Sequence, residues 1–145
     1  MNILFFLTPK QEVDYVYEDS TLRQAVEKME YHGYTAVPVL TRDGGYTGTL
    51  SEGDILRFVK ERYNLDLKEA ENIRVSQIHQ SRHIASVPAS SLMEELIDVA
   101  CCQNFVPVVD DSEKFIGLIT RKDIIRHCYH EVLRLKFELR DCGEK

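Results

Sequence analysis

Apolar residues along the chain come in short blocks, and the blocks recur in the same order in its two halves. Leu22, Val26 and Met29 fall on one face of a 3.6-residue period behind the hydroxyl pair Ser20–Thr21. Leu92, Leu96 and Val99 do the same behind Ser90–Ser91. Both blocks predict amphipathic helices, and Ser91 with Glu94 has the spacing of a capping box. Each helix is followed by a continuous apolar run, AVPVL and FVPVV, rich in β-branched residues as a buried strand requires. Turn residues come next, Asp43-Gly44-Gly45 and Asp110-Asp111-Ser112, and then a second strand, YTGTL or FIGLI. A further helix opens at Ser51 and at Thr120.

The two halves align without a gap from Thr35–Val59 onto Asn104–Cys128, with seven of 25 positions identical. Val37/Val106, Pro38/Pro107, Val39/Val108, Gly48/Gly117, Asp54/Asp123, Ile55/Ile124 and Arg57/Arg126 are the identities. An internal repeat decides the architecture before any single element does. The predicted unit is β-α-β-β-α, about 60 residues long and too small to bury its faces well alone. Two such units are expected to pack face to face as an α/β protein. The divisions are residues 1–62 for the first repeat with an N-terminal segment, 63–76 for a connector, 77–130 for the second repeat and 131–145 for a helical tail.

Three segments fall outside the repeats. The run RYNLDLKEAENIRVSQI is charged and free of Pro and Gly, so it predicts a connector helix or ordered crossover. The opening ILFFL is too short to span a bilayer and reads as a buried strand or docking segment. Arg121 to Leu139 predicts a long helix with apolar residues at Ile124, Ile125, Val132, Leu133 and Leu135. Part of that face is expected to meet a partner chain, in a homodimer.

Composition narrows the function classes. At 145 residues, 43% hydrophobic and 29% charged, the chain can bury a core without metal or disulfide. A net charge of −6 argues against nucleic acid and anionic membrane as partners. Cys101, Cys102, Cys128 and Cys142 form no C-x-x-C pair and read as reduced thiols of a cytoplasmic protein. His127-x-x-His130-Glu131 has metal-ligand spacing, but no further ligands accompany it, and a solvated helix face is expected. Cys128 beside His127 points to another face, so no nucleophile pair follows. Met29 and Met93 read as core. No phosphate-binding Walker loop, dinucleotide glycine fingerprint or G-x-S-x-G elbow is present, so no enzyme is expected.

The repeated phrase GTLSEGDILR and GLITRKDIIR carries the candidate chemistry. In one reading Ser51 with Asp54, and Thr120 with Asp123, are capping boxes and nothing more. In the other, the same helix end offers amides and a partial positive charge to phosphate, while the acceptor-only carboxylate takes vicinal hydroxyls. Together these suit a ribonucleotide. Copy two adds Arg121 and Lys122 where copy one has Glu52 and Gly53, which favours copy two for phosphate; a solvated surface pair is the competing explanation.

The pattern G-h-x-[ST]-x-x-D, with h apolar, closing each repeat after a V-P-V strand resembles a tandem pair of CBS domains. The resemblance spans roughly Thr8 to His130. It implies two β-α-β-β-α CBS repeats packed about a pseudo-twofold axis, with two clefts between them that bind adenosine ligands: AMP, ADP, ATP, S-adenosylmethionine or cyclic di-AMP. By motif position, the favoured cleft takes Leu118, Thr120 and Asp123 from copy two and Thr8, Val13, Tyr34, Thr35 and Ala36 from copy one. Asp123 would hold the ribose, Thr120 with Arg121 or Lys122 the phosphate, and the Tyr34 and Ala36 main chain the base. The second cleft takes Thr49, Ser51, Asp54, Ile84, Asn104 and Phe105. Glu52 weighs against phosphate there, and Phe105 either fills the cleft, stacks on a base or belongs to the core. The chain further resembles stand-alone bacterial members, short cytoplasmic proteins of Gram-positive bacteria, in LFFLTPKQEV and GYTAVPVL. The implied role is a regulatory nucleotide sensor that signals through conformation or dimer change. A dimerisation module with no ligand and a nucleotide-transforming enzyme are the rival expectations.

Overall fold

A computed structural model describes residues 2–62, 67–80 and 84–143. In chain order the elements are β1 (Thr8–Pro9), β2 (Val16–Tyr17), α1 (Leu22–His32), β3 (Ala36–Leu40), β4 (Tyr46–Ser51), α2 (Glu52–Glu61), α3 (Leu67–Ala70), β5 (Val87–Pro88), α4 (Met93–Ala100), β6 (Phe105–Val109), β7 (Phe115–Thr120) and α5 (Arg121–Gly143). Each half is the expected β-α-β-β-α unit. One sheet runs β2-β3-β4 and the other β1-β7-β6-β5. Part of the connector, residues 63–66, lies outside the described residues; the rest of it forms the short α3 and leads into a 3-10 turn at Val75–Gln77.

The repeat extends to register. β2 lies parallel to β3 with Val16 opposite Val39, and β5 lies parallel to β6 with Val87 opposite Val108. Both hairpins slip by one residue at the same place, between Val39 and Leu40 and between Val108 and Val109. Each slip sits opposite the motif glycine, Gly48 or Gly117, at φ 152° and 155°. Pro38 and Pro107 lie in strands with neighbours on both sides, where a missing N–H is normally costly. Here β2 and β5 are two residues long and pair only with the residues after each proline. The prolines therefore face no strand on that edge, and the edge beyond them stays open.

Equivalent residues meet at the junction of the halves. Gly45 bridges Lys114, and Tyr46 stacks on Phe115 at 6.3 Å between ring centroids. Each pair is related by the 69-residue shift of the repeat, so the pseudo-twofold axis passes between its members.

Packing does not follow chain order. Ile3, in a 3-10 turn over Ile3–Phe6, is buried in the core of the second half with Val87, Leu96, Val106, Val108, Ile119 and Ile124. Ile73 and Val75 of the connector and Ile78 at the start of the second repeat are buried in the core of the first with Leu22, Met29, Val37, Val39 and Leu50. The opening apolar run is thus a docking segment, as a turn rather than a strand. β1 then adds antiparallel to β7, with Thr8 opposite Leu118 and Pro9 opposite Gly117.

Two helix details differ from expectation. α4 starts one residue late: the amide of Leu92, not Ser91, is met by a glutamate, and that glutamate is Glu95. Ser91 is buried and its amide donates to the Pro88 carbonyl, which keeps it in the preceding turn. The buried faces are also rotated. On α1 Ala25 goes inward and Val26 is exposed; on α4 Leu96 and Ala100 go inward, and Leu92 is exposed because it stands before the helix as its extended N-cap.

A Cβ on Gly117 would overlap the Thr8 carbonyl oxygen, whereas on Gly48 it would meet only the end of the Gln80 side chain. Gly117→Ala should therefore cost about 2 kcal/mol or more, from positive φ plus loss of β1 from its sheet. Gly48→Ala should cost less, since Gln80 can swing away. Thermal unfolding of the two variants side by side checks this ordering.

Candidate functional site

Each motif helix begins where a strand ends, and the residue before the opposite strand pins it there. The Glu52 amide donates to the Thr35 carbonyl and the Arg121 amide to the Asn104 carbonyl, both at 2.9 Å. In copy one both halves of the capping box form: the Asp54 amide donates to Ser51 Oγ at 3.1 Å, and the Ser51 amide donates to Asp54 Oδ2 at 3.0 Å. Asp54 is only 4% exposed, and Arg57 Nη1 lies 3.4 Å from its Oδ1. In copy two the Asp123 amide donates to Thr120 Oγ1 at 3.2 Å, but the Thr120 hydroxyl itself donates to Asp123 Oδ2 at 2.8 Å. Capping is thus real in both copies. It leaves fewer bare amides for an anion than the motif alone suggests, since those of Arg121 and Asp123 are engaged.

Two cavities flank this arrangement. The first, about 400 Å³, gathers Thr8, Val13, Tyr34, Thr35, Ala36, Leu118 and Thr120, seven of the residues expected together there. Pro38 adds to its apolar frame, and Glu12 and Asp14 bring carboxylates that spacing did not point to. The second, about 1080 Å³, is lined by all six residues expected of it: Thr49, Ser51, Asp54, Ile84, Asn104 and Phe105. Thr35, Ala36, Asn104 and Phe105 line both, so the half-buried Phe105 is a wall between the cavities rather than a plug in one.

The cations depart from the expected arrangement. Arg121 lines the second cavity, not the first. Its Nε donates to the carbonyls of Ala100 at 2.9 Å and Gln103 at 3.1 Å, at the end of α4. The Ala100 carbonyl carries the negative end of the α4 dipole, and with the Gln103 carbonyl beyond it draws the guanidinium to that side. Glu52, the equivalent residue in copy one, lines the same cavity. The two therefore do not distinguish one cleft from the other, as motif position suggested; they share one. Lys122 is exposed on the first turn of α5 and lines neither cavity, and Asp123 reaches the first only through Thr120. Arg57 is a cation of the second cavity that motif reading passed over; its recurrence as Arg126 was the available signal.

Polar side chains hold the walls. Tyr34 donates to Asp14 Oδ2 at 2.9 Å and stacks on His32, whose Nε2 is 3.5 Å from the same carboxylate. The Asp14 hydrogen bond holds the Tyr34 phenol above its ordinary range. At the equivalent position the buried Gln103 donates to the carbonyls of Ala85 and Phe105 and accepts from the Ala85 amide. Each residue ties the segment entering its sheet to the segment ahead of the V-P-V strand. Tyr46 donates to the Ile84 carbonyl at 2.8 Å and lies 2.9 Å from Thr49 Oγ1, fixing two residues of the second cavity. Among the described residues no cluster of three or more His, Cys, Asp or Glu is placed to hold a metal, and no helix is long and apolar enough to cross a membrane.

The CBS domain model matches residues 7–61 and 75–130, and the chain belongs to the CBS domain family. An uncharacterized protein of Methanocaldococcus jannaschii is 27% identical, over 76% of this chain and 82% of its own length. A homoserine O-acetyltransferase of Methanocorpusculum labreanum is 31% identical over 82% of this chain, but the match spans only 24% of that enzyme. Among solved structures, CbpB in complex with c-di-AMP superposes with a TM-score of 0.83 at 21% identity, covering 95% of this chain and 91% of that one. A CBS domain protein from Streptococcus pneumoniae TIGR4 gives 0.79 at 25% identity, with coverage of 88% and 86%. CBSX2 in complex with AMP gives 0.70 at 22% identity, with coverage of 89% and 96%.

Burial pushes the Tyr46 phenol from 10.0 up to about 12, against a smaller pull from its Thr49 hydrogen bond. As pH rises, the unfolded chain releases this proton first. The stability it contributes is complete below about pH 10 and is lost as pH approaches about 12. A decline of roughly 2 kcal/mol is expected across that window. Tyr46→Phe should flatten it in a denaturant series taken at rising pH, and an unchanged alkaline slope would remove Tyr46 as its source.

Proposed function

We propose that this chain is a regulatory, non-enzymatic module that binds an adenine nucleotide of the AMP, ADP or ATP class between its two repeats. The observation that carries this reading is a pair of cavities sharing one wall, with complementary linings. The first offers apolar surface from Val13, Ala36, Pro38 and Leu118, and the Thr120 hydroxyl with the Asp123 carboxylate hydrogen-bonded behind it. The second sets two guanidinium groups, Arg57 and Arg121, against the carboxylates of Glu52 and Asp54, whereas the first carries carboxylates with no cation among the described residues of its lining. Adenine suits the first. The ribose hydroxyls replace the Thr120 hydroxyl as donors to Asp123, and the phosphates lie towards Asn104 and the arginines. Glu12 and Asp14 at the first cavity repel phosphate and favour this direction.

A second reading, cyclic di-AMP, has its own support. Two adenosine units on one ring fit two cavities with a common wall, and the superposition on CbpB in complex with c-di-AMP is extensive. In either case the module signals through paired chains. Leu56 on α2 and Ile125 on α5 are exposed at equivalent positions, a face suited to a homodimer. A ligand shifts such an equilibrium only by binding its two forms with different affinity.

A thermal-shift panel of adenosine, AMP, ATP, S-adenosylmethionine and cyclic di-AMP identifies the ligand, since a true ligand in excess raises the melting temperature by mass action. Asp123→Asn removes a charge-assisted acceptor and should cost roughly 1.5–3 kcal/mol, at least about tenfold in AMP affinity by calorimetry. Arg121→Gln should weaken ATP more than adenosine. If no adenosine compound shifts the melting temperature, the reading fails and a purely structural module replaces it. Turnover of nucleotide by the pure protein would instead make it an enzyme.

A further inference from the structure

α5 runs well past the residues the CBS domain model matches, which end at 130. Along it, Ile125, Cys128, Val132, Leu135, Leu139 and Cys142 recur at alternating steps of three and four. That is the a/d repeat of a coiled coil, with Ile125, Val132 and Leu139 at a and Cys128, Leu135 and Cys142 at d. Cys128 is half-buried against the second core, so the stripe leaves the body just after it. Ile125 is 60% exposed, Val132 49% and Leu139 72%, and Leu135 and Cys142 are exposed as well. None of the described residues covers this stripe.

We propose that its partner is the same stripe of a second copy, lying parallel and in register. Two features set the partner and the direction. First, β-branched residues at the a positions 125 and 132, with Leu at the d position 135, are the combination that favours two parallel strands. Second, the flanking charges agree with only one direction. In a parallel pair Glu131 at g faces Lys136 at e of the other copy, twice by symmetry. In an antiparallel pair of the same overlap, g faces g, and Glu131 meets Glu138 of the other copy. Within its own helix Glu131 also holds Arg134 at 2.7 Å, which keeps its carboxylate on that flank. About two and a half heptads are marginal as a free-standing coiled coil. Leu56 of α2 is a further exposed apolar side chain, at the repeat equivalent of Ile125. Parallel register brings the two Cys142 side chains together at a d layer, whereas the antiparallel arrangement sets Cys142 against Ile125.

This inference rests on the paired-chain part of the reading above and not on its nucleotide part. The test uses the full chain with Cys101, Cys102 and Cys128 changed to Ser, so that Cys142 is the one thiol. Mild oxidation should convert the dimer seen by light scattering into a covalent dimer on a non-reducing gel, reversed by reductant and absent from C142S. Val132→Lys, on the exposed stripe, should weaken association at least roughly tenfold while circular dichroism stays unchanged. Glu131→Lys alone should weaken pairing about threefold, and adding Lys136→Glu should restore it. A dimer that never links through Cys142 and tightens with Glu131→Lys is antiparallel and overturns the proposal. A dimer indifferent to Val132→Lys uses another surface and overturns it too. A protein that stays monomeric sinks the paired-chain reading along with it, and the nucleotide thermal shift then stands or falls separately.

Discussion

The contact on which this molecule most depends is a main-chain one. Thr8 lies across β7 so close to Gly117 that no other residue leaves room for its carbonyl. That approach lets the N-terminal segment add to the far sheet and carry Ile3 into the far core. The connector and the start of the second repeat do the reciprocal thing with Ile73, Val75 and Ile78 in the near core. Neither repeat owns a complete interior, so opening one half exposes apolar residues from the other. Two units that would each be marginal alone become one cooperative body. The crossing also builds the first cavity, because the segment from Thr8 to Asp14 runs directly over the ends of β3 and β7.

The cavities exist because the sheets stop short. The V-P-V prolines face no strand, β2 and β5 pair only beyond them, and among the described residues no strand covers the main chain at Thr35–Ala36 and Asn104–Phe105 on the open side, although the Gln103 side chain meets the Phe105 carbonyl. The motif glycine bends the neighbouring strand at the same level, which brings the hydroxyl and carboxylate to the cavity edge. Capping and ligand binding are therefore not competing explanations of S-x-x-D and T-x-x-D. The bonds that hold the helix start also hold the polar groups still. They differ in what they leave available: copy one uses both its carboxylate and its hydroxyl on the cap, whereas copy two lets the Thr120 hydroxyl bond its own carboxylate. A hydroxyl donor is easily exchanged for one from a sugar.

Much of this architecture is legible in the residues alone. The 69-residue shift carries elements, hairpins and the tandem family architecture, because buried strands and turn residues leave a strong local pattern. The features that escape lie where local pattern is weak. β1, β2 and β5 are two residues long, so no periodicity marks them. That Ile3 and Ile73 exchange partners depends on a close approach between distant segments, which no single window of sequence contains. Arg121 lies on the other side of its helix start from the one motif position implies, for a similar reason: its direction is set by the carbonyls of Ala100 and Gln103, distant in the chain and adjacent in space. Leu92 is exposed because α4 begins only after it, a boundary that apolar spacing does not mark.

Arg121 joins three parts of the molecule. Its side chain holds the end of α4 at the second cavity, its amide holds Asn104 in the wall common to both cavities, and its backbone begins α5. An anion drawn to that guanidinium would compete with the α4 carbonyls for it. Any shift at the end of α4 moves Gln103, which is clamped to Ala85 and Phe105, and so moves the wall seen from the first cavity. Were both cavities to take ligand, occupancy of one would then be coupled to affinity at the other, and thermodynamic reciprocity would make the coupling equal in both directions. The same residue would carry the effect outward, since a change in how α5 starts would alter the angle at which its exposed stripe leaves the body. A small rearrangement at one guanidinium thus has a mechanical route to the surface where two chains would meet.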